Sequence, residues 1–374
     1  MKRFSFFFAF VLIAFAVSAA DKFPVAEGLA PYVNNGELPG VITIIADKDG
    51  VVQFNAVGYA DIESQRPMKE DTVFWIASQT KTVTAAAVMI LVDEGKLSLD
   101  DPVTKYLPEL NDLKVVVEKG ADRTVLVPVD KPITVRMLLS HTAGLDFLTP
   151  FQGKHKIDSL SLSQVVTTVA MTPLRSQPMT EYSYSNIGIS VAGAVVERVA
   201  GVPFEEFLAK RIFEPLEMKE TTFFPTPDQL ERLATAYAFD KEQGKLIPTQ
   251  SAFLTYPPGE KGRYAEPGGG LFSTAHDFIK FYRMLLCNGE LNGRRILSEA
   301  AVKEIHTKQT GSLPHTYGLC VQTLHGVYGH GGALGTESVN NLNTGRCLLF
   351  FLQVSGVEKW AEAKKKFYDI GNQP

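Results

Sequence analysis

The chain has 374 residues, 45% of them hydrophobic and 21% charged, with a formal net charge of −4. These are ordinary globular values without a basic excess, so there is no electrostatic footprint for nucleic acid. The length accommodates one large domain or two ordinary ones, with a sizeable core in either case.

In chain order, Lys2 and Arg3 come first, followed by an unbroken apolar run over 6–17 and the small residues Ser18, Ala19 and Ala20. That order of charge, apolar run and small residues is the pattern of a secretory signal peptide. Residues 1–20 are therefore expected to be removed, leaving a secreted or periplasmic chain that starts at Asp21 and carries a charge of −6 once Lys2 and Arg3 are gone. No cysteine lies near the cleavage site to take a lipid, and the run is short for a spanning helix. No later stretch approaches spanning length, so no stable membrane span is expected after cleavage.

Strands are predicted over 41–45 and 51–57, around the turn at Asp47, Lys48, Asp49 and Gly50. A third apolar stretch, 72–76, leads into Ser78. The pattern then changes to a helix over 80–94, with Gly95 as its stop. Valines and charged turn residues over 113–130 predict a hairpin. Helices follow at 134–140, 187–200 (ended by Gly201), 204–212 and 275–287. Strands return at 317–323, 326–328 and 347–354, and a last helix runs from about 357 to 368. Strands at both ends with helices between predict an α+β fold: an antiparallel sheet flanked by helices, built from about 21–95 and 265–374, with an inserted, mostly helical lobe over about 96–264.

Three short motifs carry chemistry. Ser78 and Lys81 are three residues apart, so on the first turn of a helix their side chains share a face. A serine hydroxyl needs a base within hydrogen-bond reach, and a lysine serves as one only when burial or a neighbouring charge keeps it neutral. The helix N-terminus also favours negative charge developing on a bound carbonyl oxygen. Tyr184 and Asn186 are two residues apart; in an extended segment they point the same way, Tyr184 to pass protons and Asn186 to hold a substrate carbonyl. The third motif is Tyr328-Gly-His-Gly-Gly-Ala333, in which His330 and Gly332 face one side and the side chain missing at Gly332 leaves room for a substrate.

In this order the motifs resemble those of the serine β-lactamase and penicillin-binding protein superfamily, most closely its class C branch with esterase and D-aminopeptidase relatives. The segments around Trp75, 139–145, 184–188 and 267–271 agree, and the likeness runs from about Leu29 to Val354. The resemblance implies a β-lactamase/transpeptidase-like fold and a serine acyl-enzyme mechanism without metal or organic cofactor. In it Ser78 attacks a carbonyl, and Lys81 and Tyr184 share the work of base and proton shuttle. Asn186 contacts the substrate or Lys81, and the backbone N–H groups of Ser78 and Ala333 form the oxyanion hole. The implied partner is a small ester, amide or peptide substrate. One departure matters: His330 stands where β-lactamases of this branch usually carry a lysine. A histidine is mostly neutral near pH 7, which favours a general ester or amide hydrolase over a β-lactamase. The alternatives are a β-lactamase or D,D-peptidase acting on peptidoglycan stems, and a sensor that acylates without turnover.

Other residues take plainer readings. His141 is expected to be a structural loop residue. The segment 188–192 around Ser190 lacks the second glycine of a nucleophile elbow and lies inside a helix. Lys48-Asp49-Gly50 imitates the third motif but sits in a turn, and His155, His276 and His306 lack metal-ligand spacing. Of Cys287, Cys320 and Cys347, two could form a disulfide in an exported protein, and Cys347 lies in an apolar run suited to burial. Specificity is expected to come from loops near 146–160 and 250–266.

Overall fold

A computed structural model describes residues 23–152, 156–260, 262–355 and 359–373. The predicted signal peptide, His155 and the first two residues of the last predicted helix lie outside them. Among the described residues no single helix is long and apolar enough to cross a membrane.

The centre of the fold is a seven-stranded antiparallel sheet made from both ends of the chain. Its order is Gln322–Leu324, Val327–Gly331, Glu337–Asn341, Arg346–Phe351, Gly40–Ala46, Val51–Asp61 and Arg66–Pro67. The two ends of the chain meet where Gly40–Ala46 pairs with Arg346–Phe351, Ile44 opposite Leu349. Every residue of Gly40–Ala46 is buried. Strand side chains alternate between faces, and here both faces are covered. Ile42 and Ile44 enter the main core with Leu349, Phe351 and Phe278 of helix Ala275–Leu286. Val41 and Ile45 enter a second core with Leu29 of helix Val25–Asn34 and Phe367 of helix Lys359–Gly371. That two-sided burial is why this strand reads as a continuous apolar run.

Helix Thr80–Asp93 leaves the sheet and is buried on all sides from Thr80 to Leu91. A helix apolar all round belongs in the middle of a core, and this one lies between the sheet and the inserted lobe. The lobe holds helices Val135–Leu139, Leu162–Ala170 and Asn186–Ala200, and the predicted hairpin as Lys114–Lys119 with Thr124–Pro128. Ser185 caps Asn186–Ala200 by accepting from the Gly188 N–H, and Gly201 ends it at φ 72°. The predicted helix 204–212 is Phe204–Leu208 running into a π-helical turn, Ala209–Phe213. The lobe's exit is clamped to its entry, because Phe272–Thr274 pairs with Val73–Trp75, Phe74 opposite Ser273. This pairing brings the chain around 266–271 beside Ser78.

The C-terminal strands differ from the expectation. Only Gln322 and Thr323 of the predicted strand 317–323 pair into the sheet, as the start of strand Gln322–Leu324. Residues 318–321 form a turn, with the Gly318 N–H bonded to Val321 O and Cys320 at φ 56°. Strand Glu337–Asn341 was not predicted, because its Glu-Ser-Val-Asn-Asn sequence is too polar to read as buried. Tertiary contacts make it viable: Asn340 is fully buried, and its amide donates to Tyr282 O and Tyr328 Oη at 2.9 and 3.0 Å. All three cysteines are free, with Cys320 and Cys347 buried.

Candidate active site

Ser78 sits on a short turn, Ala77–Gln79, that feeds helix Thr80–Asp93. Ala77 holds φ at 48°, in the left-handed region that non-glycine residues seldom occupy. Several bonds impose that conformation. Thr80 Oγ1 donates to Ala77 O at 2.7 Å and accepts from the Leu271 N–H at 3.1 Å. Trp75 Nε1 donates to Gly269 O at 2.6 Å. Ser78 is left partly exposed, between buried Ala77 and buried Gln79.

Lys81 is fully buried. Its Nζ lies 3.2 Å from Ser78 Oγ, 2.5 Å from Asn186 Oδ1 and 2.5 Å from Gly268 O. These partners are not equivalent. The Asn186 and Gly268 oxygens are acceptors only, whereas the serine hydroxyl both donates and accepts. A neutral Lys81 amine has two N–H bonds and one lone pair. The two oxygens take the N–H bonds, which leaves the lone pair for the Ser78 hydroxyl proton. Burial pulls the Lys81 pKa below the ordinary lysine range, and the Glu266 carboxylate opposes that pull.

Tyr184 also reaches this point. Its ring centroid lies 4.7 Å from Lys81 Nζ. Burial holds the phenol well above its ordinary range, and the neighbouring Ser78 side chain offsets part of that. Tyr184 is therefore a protonated hydroxyl placed to hand a proton on. Ser185 between Tyr184 and Asn186 is extended, with φ −135° and ψ 121°, so both flanking side chains reach Lys81.

His330 lies 3.5 Å from the Tyr184 hydroxyl and 3.0 Å from that of Tyr317, both through Nε2. Its Nδ1 is 2.7 Å from Gly331 O, which only accepts, so Nδ1 carries the hydrogen. Nε2 is then the acceptor, and Tyr317 at the shorter distance occupies it. Burial, followed by the Lys81 charge, lowers the His330 pKa to about 3. His330 is thus a buried neutral imidazole and supplies no cation.

Gly332 calls for a correction. The room left by its missing side chain is not open to a substrate. A Cβ there would run into Thr336 Oγ1 and would lie 2.5 Å from Ile76 O. Thr336 Oγ1 itself donates to Ile76 O at 3.3 Å, and the Gly332 N–H donates to Thr336 O at 2.6 Å. The glycine permits close packing of the turn that carries Ala333 against Ile76, two residues before Ser78.

Two residues enter the site by routes the sequence did not signal. His141 is fully buried, at φ 58°. Its Nδ1 accepts from the Ser185 N–H at 3.2 Å, and its ring lies 4.5 Å from that of Tyr184. It was expected to be a loop residue, and these contacts set it against the Tyr184–Asn186 segment. Glu266 is fully buried beside the glycine run 268–270, with Oε1 accepting from the Gly268 N–H at 2.9 Å and from Ser190 Oγ at 3.0 Å. Its only sequence signal was an acid set directly before a Pro-Gly-Gly-Gly run.

The loops near 146–160 and 250–266 meet at this cluster. They are tied by a buried ion pair, Arg263 Nε to Asp158 Oδ2 at 2.5 Å. Phe147, 37% exposed, stacks on Tyr184 at 6.2 Å and meets Phe253 edge-on at 5.8 Å. Beside His330 a groove of about 850 Å³ opens, lined in part by Tyr182, His315, Tyr317 and Gly331.

The family model described as Beta-lactamase matches residues 25–365. Protein Rv1367c of Mycobacterium tuberculosis is 35% identical over 73% of this chain and 68% of its own. Lovastatin esterase of Penicillium rubens is 32% identical over 75% of this chain and 71% of its own. Among solved structures, EstCE1, titled a hydrolase with promiscuous acyltransferase activity, superposes with a TM-score of 0.78 at 26% identity, covering 93% of this chain and 97% of that one. The chain belongs to the Beta-lactamase family, a family of serine hydrolases with esterase, acyltransferase and D-peptidase relatives.

Proposed function

We propose that the protein is an exported hydrolase that cleaves a neutral ester or amide through an acyl-enzyme on Ser78. The observation that carries this reading is the placement of Lys81 Nζ against two pure acceptors and the Ser78 hydroxyl. Neutral Lys81 takes the Ser78 proton as Oγ attacks the carbonyl carbon. The backbone N–H groups of Ser78 and Ala333 stabilise the oxyanion. The Tyr184 hydroxyl gives a proton to the leaving alcohol or amine and recovers one from Lys81, and the acyl group stays on Oγ. Water then attacks the acyl-enzyme along the reverse proton route, releasing the acid and restoring Ser78.

The neutral state of His330 and the aromatic wall of Phe147 and Phe253 support an uncharged, apolar substrate over a β-lactam or peptide that carries a carboxylate. Export rests on the basic and apolar pattern of residues 1–20; Edman sequencing of the mature protein should begin at Asp21.

The test of the chemistry is Ser78→Ala against a panel of p-nitrophenyl esters, nitrocefin and D-amino-acid amides. The wild type should turn over esters, and intact-mass spectrometry should show a transient acyl adduct. The variant should lose both. Ester turnover retained by Ser78→Ala would overturn the assignment. An adduct that persists for hours with no turnover would favour a sensor instead.

A further inference from the structure

We propose that Glu266 is a positioning residue for Lys81: its buried carboxylate sets the charge that Lys81 carries, and so the pH at which Ser78 is activated. This rests on the reading of Lys81 as the base for Ser78.

The two groups are held on either side of a single residue. Glu266 Oε1 accepts from the Gly268 N–H at 2.9 Å, and Gly268 O accepts from Lys81 Nζ at 2.5 Å. A Cβ on Gly268 would lie 2.9 Å from Glu266 Oε1 and 3.1 Å from Asn186 Oδ1. The groups that face Lys81 thus converge on a position where only glycine fits. The glycine run is folded around the acid, because the Gly270 and Gly269 N–H groups bond to the Glu266 carbonyl at 2.9 and 3.3 Å. Glu266 Oε2 is buried and has no hydrogen-bond partner among the described residues. An unpaired buried carboxylate oxygen is costly, and a site retains one where its charge has a use.

The other groups around Lys81 supply no opposing charge. From the 184–186 segment come the protonated Tyr184 phenol and the Asn186 amide. His141 and His330 are buried and neutral, their pKa values lowered by burial. The Cys320 thiol is pushed up by burial and stays protonated. The Tyr264 phenol near Ser190 is likewise held protonated. Asp158 is neutralised by its ion pair with Arg263. Among the described residues this leaves Glu266 as the anion that acts on Lys81: burial pushes its carboxyl up to about 7 against the opposing pull of Lys81, and the carboxylate present above that pH raises Lys81.

The direction of the effect follows. A nearby negative charge favours the ammonium. Removing it lets burial act alone, so Lys81 loses its proton at lower pH. The test is the pH profile of kcat/KM for a p-nitrophenyl ester, measured on wild type and Glu266→Gln. The acid limb of Glu266→Gln should move to lower pH by about one unit or more, the size expected for an adjacent charge, while the plateau falls because the base is weaker. Glutamine keeps the shape and an acceptor for Gly268. Should Glu266→Gln fail to fold by circular dichroism, Ser190→Ala is the milder probe: it removes one donor that stabilises the carboxylate, and its acid limb should move the same way by a smaller amount. A purely structural role would lower activity at every pH without moving the limb. An unmoved acid limb in folded Glu266→Gln, or in Ser190→Ala where Glu266→Gln does not fold, overturns the proposal. If Ser78→Ala or Lys81→Met retains ester hydrolysis, the reading of the site fails instead, whatever Glu266→Gln does.

Discussion

Replacing Gly332 by alanine tests whether close packing of one turn sets the oxyanion geometry. The new Cβ would lie 2.5 Å from Ile76 O, where real Cβ atoms keep at least 3.0 Å, so something must shift by about half an ångström. Thr336 Oγ1 is also in the way but can rotate aside. Ile76 O cannot, because Ile76 is anchored through its own N–H to Leu271 O at 3.0 Å and stands two residues before Ser78. The relief therefore falls on the Gly332–Ala333 turn. Overpacking of this kind costs about 1–3 kcal/mol of stability. Displacing an oxyanion donor costs about 10²- to 10³-fold in kcat. Urea denaturation should show the modest stability loss, and ester kinetics should show the larger loss in kcat with little change in KM. The double variant with Thr336→Ala should not recover activity, because the carbonyl clash remains. Wild-type kcat in Gly332→Ala would refute the argument, as would full recovery in the double variant.

Two further outcomes follow from the geometry around Tyr184. Phe147→Ala removes an exposed ring that walls the site; kcat/KM for a p-nitrophenyl ester with a long or aromatic acyl group should fall about tenfold, a loss of about 1–2 kcal/mol of apolar contact, and the acetate ester should change less. Equal losses on both esters would show that Phe147 only supports Tyr184. His330 is held neutral down to about pH 3, against an ordinary value of 6.5. Below 6.5 the unfolded chain takes a proton that the folded one refuses, so stability is full above that pH and falls as pH drops toward 3, by about 1.4 kcal/mol per pH unit for this group. His330→Gln, which cannot titrate, should show a shallower loss between pH 6.5 and 4.5 in urea unfolding. An identical slope in the two proteins would contradict the burial argument.

Much of the fold was readable because its elements are locally consistent. The strand at 41–45, the helix at 80–94 and the helix stopped by Gly201 each join an apolar pattern to a turn or stop residue. The strand Glu337–Asn341 was not readable, since its buried Ser338 and Asn340 look exposed until Tyr282 and Tyr328 are placed beside them. The turn within 317–323 was hidden for a similar reason, because its Val321 and Cys320 carry strand-like character while the backbone reverses.

The sequence by itself determined which side chains are paired locally in the proposed site, because Ser78 and Lys81 lie one helical turn apart and Tyr184 and Asn186 flank one extended residue. Such relations depend only on local backbone geometry. What joins them depends on contacts across the chain, and only the tertiary structure decided it. Lys81 and Asn186 are 105 residues apart in sequence, and Lys81 and Gly268 are 187 apart. The neutrality of His330 comes from burial and the nearby Lys81 charge, the need for glycine at 332 comes from Ile76, and the buried charge beside Lys81 comes from Glu266, which no spacing rule connects to it. Charge state and close approach depend on what surrounds a group in three dimensions, and a one-dimensional pattern does not contain that information.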